Sequence, residues 1–280
     1  MKSDAHPLFT AHPLAGEENI SVGRVPTPYQ TFAGHGMFIG GTADLAKVTG
    51  LLQNEKVYPI KTRKGYPVMG IWVVDFTDAS LGPHHELQFS LLVSHQPTAP
   101  IEDHPLTLLK ALFVNPDARM FCYRLWNNSE KVVAYNRELL GLEAALSRGT
   151  IERRKGRKRF QFATKAGEPL FEGQVREAGQ VSPPVGWSLL RLLGLPHTIR
   201  AFRQPYLEAK VVNPIGEVIP YNADASTYLA ADSPVVQFFS PATDAITIHH
   251  PGLAAVNFQP HFIEHFAPFR FVYLQPAARP

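Results

Sequence analysis

The chain has 280 residues, 45% of them hydrophobic and 18% charged, with a mean hydropathy of −0.10 and a formal charge of +3. That composition excludes a disordered polyelectrolyte; no run nears the ~18 apolar residues of a membrane helix, and the small charge gives no ground for nucleic acid as a partner. A single cysteine, Cys122, leaves neither an internal disulfide nor a multi-cysteine metal site, so a reducing, cytoplasmic setting is expected.

In chain order, the first seven residues have no apolar stretch behind Lys2, so no secretory signal is expected, and residues 1–25 read as an extended arm. Residues 34–41 hold four glycines but not G-x-G-x-x-G, because the third glycine is one residue late. Thr42 can cap a helix over 43–53 with Leu45, Val48, Leu51 and Leu52 on one face. Strand-like runs follow at 68–76 and 86–93, then a loop at 97–105 that leads into a helix from Pro105 to Leu112. Another strand, 119–126, precedes a helix capped by Ser129 and ended by Gly141. The basic run 153–159 straddles Gly156 between alternating segments and reads as a hairpin tip. The sharper reading, a phosphate-binding patch, lacks the aromatic ladder or recognition helix that should accompany it. A short apolar helix at 187–193 and strands at 206–212 and 269–274 complete the pattern. The 25 prolines and 20 glycines are spread throughout, punctuating short strands rather than marking a linker. We therefore expect one domain over 1–280, α+β and mainly antiparallel β.

Two segments carry candidate chemistry. Residues 81–86 form a turn feeding a strand, and strand alternation puts His84 and Glu86 on one face and His85 on the other. A carboxylate beside an imidazole can act as a general acid/base pair; the plainer reading is a buried acid satisfied by an arginine such as Arg137. Glu86 is followed on its own face by Gln88 and Ser90, while Leu87, Phe89 and Leu91 face away, the pattern of a polar strip in a cavity wall. The second segment, 134–141, ends a helix with Arg137 and Glu138, which project about 100° apart and so do not pair with each other. Its plainer reading is a surface helix end where an arginine suits the dipole.

The order of these segments resembles the acetoacetate decarboxylase family. Residues 82–86 match that family's glycine turn and site glutamate, Asn127-Asn128 its asparagine-rich turn, and Asn136-Arg137-Glu138 its Gly-Arg-Glu, over about residues 26–150. The resemblance implies a curved sheet or barrel with a few short helices. It also implies where the chain departs: the family's proline falls on Glu143 and its lysine pair on Ala144 and Ala145. The first of those lysines forms the family's Schiff base, and alanine has no amine to do so. The family's N-terminal site arginine has no counterpart in 31–38, where His35 is the one ionisable residue.

The expected function is therefore an enzyme acting on a partly apolar carbonyl or oxo-acid compound by general acid/base catalysis without an imine, whether isomerisation, cyclisation, hydrolysis or lyase chemistry. The residues expected to serve it are Glu86, His84, His85, Arg137, Glu138 and His35, with Arg137 holding a carboxylate or oxyanion. No cofactor is implied, and a homo-oligomer is left open. The first rival is a non-catalytic binder of a hydrophobic ligand. The second is a metal-dependent hydrolase drawing on His249, His250, His261 and His265, because residues 261–265 spell H-x-x-E-H. A third, a relocated imine lysine, would fall to Lys61, Lys64 or Lys131.

Overall fold

A computed structural model describes residues 6–203 and 206–276. Helix α1 (Pro7–Ala11) and a hairpin of β1 (Gly16–Ile20) and β2 (Gly23–Thr27) come before the long β3 (Tyr29–Thr42). Then follow α2 (Leu45–Leu51), β4 (Tyr58–Pro59), β5 (Val68–Ala79), β6 (His84–Ser94), α3 (Thr107–Val114), β7 (Arg119–Asn127) and α4 (Glu130–Glu138). The middle of the chain gives β8 (Ala144–Arg154), β9 (Arg157–Thr164), β10 (Pro169–Arg176) and α5 (Pro183–Arg203). The last part supplies β11 (Leu207–Val212), β12 (Asp224–Ala231), β13 (Val235–Phe238), β14 (Ala245–Ile248), α6 (Pro251–Ala254), β15 (Gln259–Phe266) and β16 (Phe269–Tyr273).

Strand pairing closes on itself. β6 pairs with β7, β7 with β11, and the path returns through β12, β16, β3 and β5 to β6. Every step of this seven-stranded ring is antiparallel except β7–β11. Closure removes the sheet edges and gives the strands an inside and an outside. On the outside, the second half of β7 passes into a sheet of β8, β9, β10 and β14, whereas β15, paired in turn with β13, continues the cavity wall from the second half of β3.

Both faces of the ring are therefore buried. Phe38, Val74, Phe76, Met120 and Leu125 belong to the inner cluster. Met37, Ile39, Leu87, Phe89 and Trp126 belong to an outer cluster against Phe160, Phe162 and Phe171 of the added sheet. β6 is accordingly buried on both faces from Leu87 to Ser94. A bulge between Phe89 and Ser90 skips Tyr123 on β7, so that Cys122 and Leu125 both belong to the inner cluster.

The glycine run in β3 has a packing purpose. A Cβ on Gly36 would lie 1.9 Å from the Phe266 ring and one on Gly40 2.1 Å from the Phe262 ring, so β15 can lay its aromatic side chains directly on the β3 backbone.

Several expectations need adjusting. Asp44, not Thr42, caps the first predicted helix, its Oδ1 accepting from the Lys47 amide at 2.9 Å, because Thr42 is the last residue of β3. Of the arm expected at 1–25, residues 1–5 lie outside the described residues, and the rest holds α1 and most of the β1–β2 hairpin, which ends at Thr27, with Leu8 and Phe9 buried. The apolar helix at 187–193 is part of the longer α5, interrupted at Gly194 (φ 73°). The hairpin tip stands as read: Lys155 and Gly156 both have positive φ, 51° and 72°, as a two-residue turn between twisted strands requires. No helix among the described residues is long and apolar enough to cross a membrane.

Candidate functional site

The ring encloses a cavity of about 140 Å³, bounded by the inner faces of its strands and by α3 and α4. That is close to the ~150 Å³ at which an apolar cavity accepts a benzene-sized guest. Its lining is aromatic and aliphatic, with polar groups from Tyr29, Glu86, Gln88, Asn136, Thr227, Glu264 and Tyr273. Glu208 is exposed at the rim together with half-buried Leu112 and Phe113. Among the described residues, no lysine, arginine or histidine lines it.

Glu86 faces inward with Gln88, as alternation along β6 requires. Asn127 Nδ2 donates to Glu86 Oε2 at 3.0 Å, and Asn136 Nδ2 donates to Asn127 Oδ1 at 3.0 Å. Asn127 and Asn136 are both buried, so this relay from α4 through β7 fixes the carboxyl in the wall. The surface that Glu86 retains opens into the cavity. Burial raises its pKa to about 7, against the smaller opposing pull of the Asn127 amide.

His84 shares that face but lies behind the lining. The Gly82 carbonyl accepts from Nδ1 at 2.9 Å, leaving Nε2 to accept from the Tyr29 hydroxyl at 3.3 Å. Thr31 Oγ1 in turn donates to the Tyr29 hydroxyl at 3.0 Å. Burial lowers the His84 pKa to about 4, so the ring is neutral and serves to position Tyr29.

The other expected residues are not brought together with Glu86. His85 points outward, its Nδ1 donating to the Gly149 carbonyl at 2.9 Å and its Nε2 lying 3.4 Å from Asp75. His35 lies on the same outer side, opposite Asp75 on β5, with its pKa lowered first by burial and then by Arg153. Arg137 is exposed and donates from Nε to the Ala144 carbonyl at 2.6 Å, so it reaches neither Glu86 nor the cavity. Glu138 accepts from the Ser21 amide at 2.9 Å and ties the β1–β2 turn to α4. The helix that carries Arg137 and Glu138 docks through Val132, Val133 and Tyr135, which turns the charged pair away from the interior.

The H-x-x-E-H segment lies on β15, not on a helix. Alternation sends Glu264 into the cavity and His265 to the opposite face, where its Nε2 donates to the Arg176 carbonyl at 3.2 Å. A zinc site needs ligands converging on one point, and no group of three or more ligating side chains converges among the described residues. His249 pairs with Glu172 at 3.1 Å, and His250 packs edge-on against Trp126.

Ala144 is buried in the inner cluster, beside the cavity-lining Leu125 across β7–β8, whereas Ala145 packs on the outer side. Lys61, Lys64 and Lys131 do not line the cavity. The sequence reading missed the buried lysine of the chain's interior, Lys158, which is 1% exposed with Nζ donating to the Gly36 carbonyl at 3.2 Å. Burial lowers its pKa to about 8, but it lies outside the cavity. The signal was available, since Lys158, Phe160 and Phe162 alternate with exposed Arg157, Arg159 and Gln161.

Glu264 was also missed as a site residue. It flanks the cavity between Phe262 and Phe266 of its own strand and opposite Phe38 on β3. Burial alone raises its pKa to about 7.

A ring-closed, mainly antiparallel sheet with an outer sheet and a few short helices is the acetoacetate decarboxylase-type fold. Compared with solved structures, the chain superposes on the acetoacetate decarboxylase of Legionella pneumophila with a TM-score of 0.63 at 10% identity, over 94% of this chain and 90% of that one. Another acetoacetate decarboxylase structure gives 0.55 at 11% identity over 89% and 87%. The enduracididine biosynthesis enzyme MppR complexed with pyruvate gives 0.52 at 10% identity over 90% and 89%. No protein-family model and no curated protein sequence matches the chain.

Proposed function

We propose that the cavity performs general acid/base chemistry on a small, partly apolar carbonyl compound that carries no carboxylate, without forming an imine. The observation that carries this reading is Glu86, a carboxyl with a pKa of about 7 fixed by Asn127 in an otherwise apolar cavity. Such a group accepts and returns a proton near neutral pH. Taking a proton from the carbon beside a carbonyl leaves an enolate, whose oxygen needs a donor. Tyr273, the cross-strand neighbour of Tyr29 on β16, lines the cavity and supplies that donor, since burial and the nearby Cys122 and Glu86 keep its phenol protonated; the proton of Tyr29 is committed to His84. Oxo-acids fit less well than carbonyl compounds without a carboxylate, since no cation among the described residues of the lining would meet that carboxylate. The fold neighbours include enzymes named for acetoacetate and one complexed with pyruvate, which supports a small carbonyl compound as ligand.

The test is hydrogen–deuterium exchange of 2-butanone followed by NMR. Wild-type protein is expected to accelerate exchange, and Glu86→Gln to reduce that acceleration about a hundredfold, the usual scale of a lost general acid/base. Exchange equal in the two proteins overturns the assignment. Ligand retention without any exchange would instead favour the non-catalytic binder, which the predominantly apolar lining also suits.

A further inference from the structure

The two carboxyls of the cavity are not equivalent. Glu86 has a built partner in Asn127, whereas Glu264 has no hydrogen bond or ion pair with any described residue. Its surroundings are rigid and aromatic. Phe262 and Phe266 flank it two residues away on the same strand face, each ring seated on a β3 glycine. Phe38 stands directly across on β3, with Trp72 4.5 Å from Phe38 and 5.5 Å from Phe266 between ring centres. A carboxyl retained in such a box with no internal cation is costly, because buried acids are ordinarily paired or hydrogen-bonded.

We propose that the Glu264 end of the cavity binds the ammonium group of a small apolar amine, held by the carboxylate of Glu264 and the faces of Trp72, Phe38 and Phe266. The ammonium supplies the charge-assisted donors that Glu264 lacks, and the surrounding rings add cation–π attraction. Glu86 lies three strand spacings along the curved wall, on the order of 14 Å by the sheet and less across the cavity. A ligand with its nitrogen at Glu264 would therefore present a carbon skeleton toward Glu86 and the Tyr29–Tyr273 pair. This names the substrate class of the proposed acid/base site as an amino-carbonyl compound and rests on that reading for its carbonyl end; the amine end stands on Glu264 alone. An anionic ligand is disfavoured at both ends.

Binding an ammonium requires Glu264 to be ionised. Its pKa of about 7 in the empty cavity makes affinity rise between pH 6 and pH 8, while an alkyl ammonium, titrating near pH 10, stays charged. The probes are benzylamine, benzyl alcohol and benzoate, equal in ring and different in charge, measured by titration calorimetry with the full chain. Benzylamine is expected to bind at least tenfold tighter than benzyl alcohol at pH 8, with the preference shrinking at pH 6 and benzoate weakest. Glu264→Gln should abolish the amine preference and leave benzyl alcohol binding within about twofold. Should Glu264→Gln fold poorly, Glu264→Leu removes the carboxyl altogether and must give the same loss. Benzyl alcohol or benzoate binding as tightly as the amine, no amine binding at millimolar concentration, or an amine preference that survives both variants would overturn the proposal. Ketone exchange that depends on Glu86 without amine selectivity would sink this inference alone. Amine selectivity without exchange would sink the acid/base reading alone.

Discussion

Asn127 donates to Glu86 at 3.0 Å and is itself held by Asn136, so the cavity's acid is positioned from α4 through an intervening strand residue. Because the Asn127 amide favours the charged carboxylate, removing it should raise the Glu86 pKa above about 7. Asn127→Leu also leaves the Asn136 amide without its acceptor, at a cost of about 1–3 kcal/mol. The expected result is a pH–rate profile displaced to higher pH together with a lower melting temperature. An unchanged profile at lowered stability would make the relay purely structural.

The two half-buried carboxyls that face the cavity make stability depend on pH in a definite sense. Glu86 and Glu264 have folded pKa values of about 7 against an ordinary value of 4.5. Below about 4.5 both states carry the proton and there is no difference. Between 4.5 and 7 the unfolded chain ionises first, so stability contributed by the neutral acid falls as pH rises and is lost above 7. His84 and His265, lowered from 6.5 to about 4, act in the opposite direction and withdraw stability as pH falls through that window. The difference between Glu264→Gln and wild type cancels the histidines, which the two proteins share, and should grow toward the variant by on the order of 2–3 kcal/mol from pH 4.5 to 8. Chemical denaturation of both proteins across that range measures it; a difference independent of pH contradicts the burial of Glu264.

Which parts of this were legible in the sequence follows from period and docking. Glu86, Gln88 and Ser90 on one face and Leu87, Phe89 and Leu91 on the other could be read because a strand has a fixed period of two. Arg137 and Glu138 could not be placed, because the orientation of a helix depends on which of its faces docks, and Val132, Val133 and Tyr135 decided that. Glu264 was taken with its neighbouring histidines because H-x-x-E-H converges only at a helical period; on β15 the same letters separate. Closure of the ring could not be read either, since the β7–β11 contact joins segments some ninety positions apart through just two residue pairs, Val211–Met120 and Val212–Phe121.

Cys122 belongs to the inner cluster and is fully buried, and burial raises its thiol pKa well above the ordinary value. A protonated thiol without solvent access is a poor nucleophile. Native protein should therefore react with Ellman's reagent only as fast as it opens, with labelling rising sharply in denaturant. Labelling of the native state at the denatured rate would place Cys122 at an accessible surface.

The last prediction concerns the imine. Ala144 has its side chain in the inner cluster, the side on which a lysine would reach the cavity, and it has no amine. Lys158 is the one remaining buried amine among the described residues, and its pKa of about 8 would leave an appreciable neutral fraction near pH 7. Chemistry alone would then allow a Schiff base at Lys158. Geometry opposes it: Nζ donates to the Gly36 carbonyl at 3.2 Å and lies 3.9 Å from Glu177, with the β3 backbone between it and the cavity. Forming an imine there would break both contacts and require a carbonyl compound to enter a site where Lys158 is 1% exposed. Borohydride reduction in the presence of acetoacetate should accordingly leave the mass of the protein unchanged. In Ala144→Lys the new amine should be trappable but weakly so, because the carboxyls that line the cavity, Glu86 and Glu264 inside and Glu208 at the rim, favour its charged form. A reduced adduct in wild-type protein mapped to Lys158 would show that the outer layer opens and that the chain retains imine chemistry by another route.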